Sequence, residues 1–469
     1  MSTEESTSSI SSSSRLTQLS TLISQRTAQI TEYLKLKGLG EPSFDANGLV
    51  ELPIAKEDAE IQKARVELID ATKELRDLVV GARETLRYLA WDHNDTLSLH
   101  AVYHYKIAHT FPLDGTITYT ELAQKTNMIE ANIRRLVRHA MTNNIFREVA
   151  GAKNTIEHTA ASRLLREDTQ LQCWVGLHTE DLWGVTTKTV PALEKWPRSE
   201  EFRETALQIE HGFTDSWFEY LGKRPDNLKR FGVAMASFSS GEGFEIEYLA
   251  EHPVWGSIGN GKVVDVGGSI GFACVTLARA YPGLRFVVQD LPKVVDGAQG
   301  KIPESLRDRI EFMAHDFLTE QPVKDADVYL FRWIFHNWSD KYAVEILRNH
   351  IQALKKGAKI IVNDGVLPEP GVLSKWDEKL MRTIDLIMLT TVNAREREVD
   401  DWRSLFYRAD PRFRFLGASK PKESKMWAIE AVWDPDGEFS EKDAAPGALL
   451  GNSPERAAAQ AALVEDGDK

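Results

Sequence analysis

"VVDVGGSIG", residues 263–271, carries a run of apolar β-formers into Asp265 and then into Gly267, Gly268 and Gly271, with a helical pattern over 270–281 behind it. Glycines at a strand-to-helix turn let backbone approach a ligand at the carboxyl end of a sheet. A dinucleotide fingerprint requires GxGxxG, yet counting from Gly267 the second and third glycine positions hold Ser269 and Phe272. The spacing found, acid-x-Gly-x-x-x-Gly, suits a nucleoside that carries no pyrophosphate.

Outward from this turn, short β-rich runs alternate with helical stretches. The runs are "KVVDV" (262–266), "RFVVQD" (285–290), "RIEFMAHD" (309–316), "DVYLFR" (327–332) and "KIIVND" (359–364), and a second helical pattern covers 341–355. This order predicts an α/β fold with a doubly wound, Rossmann-like parallel sheet. "FRFLGA" (413–418) and "KMWAIEAVW" (425–433) have only "SKPKES" between them, so they are expected to pair antiparallel as a hairpin on the sheet edge. Three strands end in an acid. Asp290, closing the second, can accept from both hydroxyls of a ribose. Asp316, closing the third, can accept from an adenine amino group while Phe317 flanks the ring. Helix capping explains any one of these acids, but a bound nucleoside cofactor explains Asp265, Asp290 and Asp316 together.

The fourth strand runs into "RWIFHNWSD" (332–340), a cluster of polar and aromatic side chains with His336 at its centre. Such a cluster at the end of a buried strand reads as the floor of a pocket. An imidazole there titrates near neutrality and can take a proton from a substrate.

The amino-terminal half has a different character. Residues 1–14 are serine-rich, and 15–95 carry amphipathic helical patterns: Leu16, Leu19, Ile23, Ile30 and Leu34, then a longer run from Ile61 through Leu68, Leu75, Leu78 and Leu86 to Leu89. These stripes require a partner, either within the domain or on a second subunit. Within 96–229, "ITYTELAQKTNMIEANIRRLVRHAMTNNIFREVAGAKNTIEHTAAS" sets two short helices around a turn at "KTNM" and follows them with a small hairpin, the layout of a winged helix-turn-helix. Arg134, Arg135, Arg138 and His139 on the second helix would suit a DNA groove. The formal net charge of −13 over 469 residues favours a scaffold module instead. Residues 434–469 hold nine acids and three bases and read as an acidic flexible tail. Only Cys173 and Cys274 occur, without zinc-type spacing, and no signal peptide or membrane span is visible, so a cytoplasmic protein without structural metal is expected.

Residues 230–433 resemble the catalytic domain of plant-type and fungal small-molecule O-methyltransferases, the class of caffeic acid O-methyltransferase and the enzymes of fungal aromatic polyketide pathways. The resemblance rests on "VVDVGGSIG", "QDLPKVV", "AHDFL", "FRWIFHNWSD", "IIVNDGVLP" and "DLIMLTTVNAREREVDDW", in the order and spacing of that family. It implies a seven-stranded catalytic sheet, S-adenosylmethionine as cofactor, a winged-helix module that makes a homodimer, and a small phenolic substrate, with no metal, nucleic acid or membrane involved. By the same resemblance His336 is the general base, with Asp364 and Glu396 against its imidazole. Glu398 stands close enough in sequence to exchange with Glu396. Asp265, Gly267, Gly268, Gly271, Asp290, Asp316, Phe317, Arg332 and Trp338 fall on the cofactor side, and Met235 and Met388 where relatives sandwich a flat acceptor. Two positions depart from the usual pattern: Asn337 stands where many relatives have aspartate, and Ser269 replaces a glycine of the turn. Two rival functions are a same-fold enzyme running decarboxylation or hydroxylation, and a winged-helix DNA-binding regulator with a relic catalytic domain.

Overall fold

The computed structural model describes residues 14–439. The serine-rich start to residue 13 and the acidic tail from 440 lie outside the described residues. The chain forms two compact units: one runs through Trp183 and takes in Pro370–Lys379, and the other holds Gly184–Glu369 and the chain from Leu380. Among the described residues no helix is long and apolar enough to cross a membrane.

In the first unit the helices Arg15–Leu36 and Ala59–Val80 bury Ile30, Tyr33, Leu34, Ile54 and Ala64 together. The long stripe that follows is not one helix. Gly81, at φ +79°, breaks it into Ala59–Val80 and Ala82–Trp91, because a residue with a Cβ avoids that backbone region. The break divides the stripe by role: Ala64 and Ala71 are buried, whereas Val79, Leu86 and Leu89 are more than 60% exposed.

The winged layout is present. Helices Tyr119–Thr126 and Glu130–Thr142 are flanked by strands β1 (Thr116–Thr118), β2 (Arg147–Glu148) and β3 (Thr155–Glu157), in the order β1-β3-β2. Thr118 and Glu121 close a reciprocal capping box at the start of the first of these helices. The basic residues of the second are engaged inside the module: Arg134 pairs with Glu130, Arg138 forks onto Glu148 at 2.7 and 2.9 Å, and Arg135 donates to the Ala131 carbonyl. The amino-terminal region belongs to the same unit, since Arg147 pairs with Asp45 at 2.5 Å and Asp45 bridges to Thr159.

The second unit is built on strands β4 (Lys262–Val266), β5 (Arg285–Asp290), β6 (Ile310–Ala314), β7 (Val328–Arg332), β8 (Lys359–Asp364), β9 (Phe413–Ser419) and β10 (Trp427–Trp433), in the order β6-β5-β4-β7-β8-β10-β9. The first five are parallel, and β10 pairs antiparallel with both β8 and β9, which is the expected edge hairpin. Their near-continuous Val/Ile/Leu character follows from burial on both faces, by Phe335, Ile346, Trp402 and Phe406 on one side and Trp255, Leu277 and Leu306 on the other. Residues 184–229, read from sequence as a connection, pack into this unit: the Ser339 hydroxyl donates to the Glu200 carbonyl at 2.7 Å, and Phe202 meets Trp338 edge-on. Chain order reverses about β4, whose neighbours are β5 and β7, so the carboxyl ends of five parallel strands converge at one topological switch point.

Candidate active site

The turn after β4 is fixed by backbone bonds: the Gly267 and Gly268 amides both donate to the Gln289 carbonyl, at 2.8 and 3.0 Å. A Cβ on Gly268 would sit 2.4 Å from Asp265 Oδ2, so that glycine answers to the buried acid beneath it. Asp265 itself is sealed under the turn, where its carboxylate accepts from the Cys274 thiol at 3.2 Å. Burial pushes its pKa up to about 6, against the thiol bond that lowers it. Ser269 holds φ +55°, a left-handed conformation that favours glycine, which gives the family's glycine there a physical reason. Its amide donates to Asp290 Oδ2 at 2.9 Å, and the Leu291 amide donates to Oδ1 at 2.7 Å.

Asp290 thus ends β5 with one backbone donor on each oxygen and a lone pair left on each for a diol. Burial raises its pKa, while the Leu291 and Ser269 amides favour the charged form. Asp316 is exposed past the end of β6, where its Oδ1 accepts from the Leu318 amide at 3.0 Å. Beside it the rings of Phe317 and Trp338 meet edge-on at 5.7 Å. A carboxylate suited to accept from a ribose diol, a second open carboxylate acceptor, and two aromatic walls fit an adenosine group. Arg332 stands apart from that set: its guanidinium is taken up by the Asn363 side chain and by the Phe244 carbonyl at 2.6 Å, and burial lowers its pKa to about 10.

Past β7 the chain turns through the short 3-10 segment Phe335–Asn337, which presents His336. Imidazole Nδ1 lies 3.0 Å from Glu396 Oε1, a carboxylate only 1% exposed. Burial lowers the His336 pKa, but the hydrogen bond and charge of Glu396, with the charge of Asp364, outweigh it and leave the imidazole raised. Asp364 lies close enough for its charge to act on the imidazole, but its hydrogen bond goes to the backbone. Its Oδ2 accepts the Phe335 amide at 3.0 Å, so it holds the backbone of the turn, while Oδ1 is buried without a hydrogen-bond partner. Burial pushes Asp364 up to about 7, against the charges of His336 and Arg397. Glu398 is placed elsewhere, as the N-cap of helix Val399–Ala409 in a reciprocal pair with Asp401. Asn337 donates its side-chain amide to the Trp333 carbonyl at 3.0 Å, a bond an ionised aspartate has no hydrogen to make.

Sequence reasoning passed over three residues here. Arg397 is wholly buried and donates to the carbonyls of Phe335 (2.9 Å) and Trp338 (2.8 Å) while pairing with Asp340, so it clamps the His336 turn from both ends. Asp385 accepts the Glu396 amide at 2.8 Å and sets that backbone. Trp333 adopts φ +56°, and its ring lies 5.0 Å from that of His336. The "RER" run reads in sequence as a solvated charge patch, and nothing in sequence marks a tryptophan with positive φ. Met235 and Met388 are half-buried on the helices Pro225–Ser239 and Lys375–Val392, and the Met388 carbonyl accepts the Ala394 amide two residues before Glu396.

A switch-point sheet with its edge hairpin, a glycine turn after the first strand and acids after the next two defines a methyltransferase that binds S-adenosylmethionine. Comparison with known proteins narrows the class. The O-methyltransferase domain family matches residues 199–411. A chlorophenol O-methyltransferase from Trichoderma longibrachiatum is 42% identical over 432 residues, covering 90% of this chain and 91% of that protein. The chain belongs to the S-adenosylmethionine-dependent O-methyltransferases, and S-adenosylmethionine is its cofactor. Among solved structures, OxaC in complex with SAH and oxaline shares the fold at TM-score 0.65 and 21% identity, over 89% of this chain and 100% of that one. A pericyclic reaction enzyme shares it at TM-score 0.64 and 23% identity, over 80% of this chain and 95% of that one.

Proposed function

We propose that this enzyme methylates a phenolic hydroxyl of an aromatic secondary metabolite, with His336 as general base. The observation that carries the reading is the buried His336–Glu396 pair at the carboxyl ends of the strands. A phenol titrates near 10, as tyrosine does, so its oxyanion is scarce at neutral pH. With Nδ1–H donated to Glu396, the neutral imidazole carries its acceptor lone pair on Nε2, which can take the phenolic proton. Glu396 then stabilises the imidazolium, and Arg397 and Asp364 hold the turn so that the ring stays in place. S-adenosylmethionine supplies a methyl group on a sulfonium leaving group when bound. A relative at 42% identity that acts on chlorophenol supports the phenolic assignment.

The pericyclic enzyme of the same fold makes non-methylating chemistry the second reading. Incubation with methyl-labelled S-adenosylmethionine and a panel of phenols, anthraquinones and xanthones separates the two. Label in a phenolic ether is expected, whereas a cofactor that binds and is never consumed would overturn the phenolic reading. The regulator reading finds less support, because the basic side chains of the winged helix are engaged by Glu130 and Glu148.

Asp290, with Asp316, Phe317 and Trp338, is the proposed adenosine cradle. Asp290→Ala removes a charge-assisted acceptor worth about 1.5–3 kcal/mol, so calorimetric affinity for S-adenosylmethionine is expected to fall by about 10- to 100-fold. Unchanged affinity would remove Asp290 from the cradle.

Leu78, Val79, Leu86, Tyr88, Leu89 and Trp91, all exposed within fourteen residues, support a homodimer through this region. Light scattering at micromolar concentration is expected to give twice the 52.9 kDa chain mass. A mass of one chain would count against it.

A further inference from the structure

The first unit holds a side-chain group that methyl transfer does not use. His100 and His104, four residues apart on helix His93–His104, share one face of it. Opposite them is Glu180, carried on Leu177–Asp181, a single π-helical turn, a rare element found disproportionately at functional sites. Glu180 Oε1 lies 2.8 Å from His104 Nδ1 and 3.2 Å from His100 Nε2. His100 Nε2 is shielded from water and faces the Glu180 carboxylate. Both imidazoles thus turn a ring nitrogen toward one carboxylate oxygen, and that of His100 does so out of reach of water. The Trp183 ring packs edge-on against His100 at 5.7 Å and fixes its orientation.

We propose that His100, His104 and Glu180 form a site for a divalent transition-metal ion of the zinc type, each side chain giving one ligand atom and water completing the coordination. Two imidazole nitrogens and one carboxylate oxygen suit zinc, whereas magnesium and calcium require oxygen ligands throughout. Zinc bonds of about 2.0–2.1 Å place neighbouring tetrahedral ligands about 3.3 Å apart. Glu180 already stands near that spacing from both imidazoles, and all three ligand atoms lie within 4.8 Å of one another, so side-chain rotation closes the site. Among the described residues this is the one His/Cys/Asp/Glu group so arranged. The ion ties the π-helical turn to the helix His93–His104. Cysteine spacing gives no hint of the site, because its third ligand comes 76 residues after His104.

The test is a calorimetric zinc titration of untagged, chelator-stripped protein, with magnesium as the control. One zinc ion per chain is expected, with a rise in melting temperature and no heat from magnesium. His104→Ala and Glu180→Gln are each expected to weaken zinc binding about tenfold or more. Because His104 and Glu180 are both on the surface, both variants should melt like the parent when zinc is absent, and methyl transfer should be unaffected. Absence of saturable zinc binding to the parent, or equal binding to both variants, would show an ordinary His–Glu surface cluster and overturn the site.

Discussion

Changing His336 to glutamine is expected to lower turnover by about 10²–10⁴-fold at neutral pH, the usual contribution of a positioned general base. Glutamine keeps a polar side chain of similar reach but cannot accept a proton in that range. Affinity for S-adenosylmethionine should stay close to the parent's, since the proposed adenosine contacts come from Asp290, Asp316, Phe317 and Trp338. Raising the pH toward the acceptor's own pKa should recover part of the rate, because solvent then supplies the oxyanion. A variant that methylates at the parent rate, or loses cofactor binding together with activity, would make His336 a packing or cofactor-side residue.

The sheet was legible because each strand is bounded by its own chemistry. "KVVDV", "RFVVQD" and "KIIVND" coincide with β4, β5 and β8, each an apolar run stopped by a polar turn. The helical stripe after Ile61 was less so, because apolar periodicity runs straight through Gly81 while its backbone conformation does not. In the site, the residue types at the strand ends announced themselves, but their partners did not. Asp364 acts on the imidazole through its charge, while its hydrogen bond to the Phe335 amide, which sequence does not show, holds the 3-10 turn. Arg397 sits beside Glu396 in a run of charges, and only the fold shows it wholly buried with two carbonyls and Asp340 as its partners. A buried guanidinium so satisfied fixes conformation, which is why a loop can carry a base as accurately as a strand would.

Glu396→Gln tests whether the carboxylate tunes the base or merely fills space beside it. The parent's raised His336 pKa follows from Glu396 and Asp364 outweighing burial, with Arg397 opposing them. A base works in its neutral form, so the parent's rate should fall as pH drops through that raised value. Removing the Glu396 charge lowers the pKa, so the acidic limb of the kcat profile should move to lower pH. The maximum should fall as well. An amide nitrogen turned toward Nδ1 donates to it and forces the proton onto Nε2, the tautomer that cannot accept; turned away, it is buried where Oε2 now lies without a hydrogen-bond partner. In either orientation the imidazolium loses its counter-charge, and a comparable loss in a histidine–carboxylate pair costs on the order of 10⁴-fold, so a fall of about 10²–10⁴-fold is expected. A pH profile that keeps its limb in place, with less than a tenfold loss, would leave Glu396 a space-filling neighbour and the tuning of His336 to Asp364 alone.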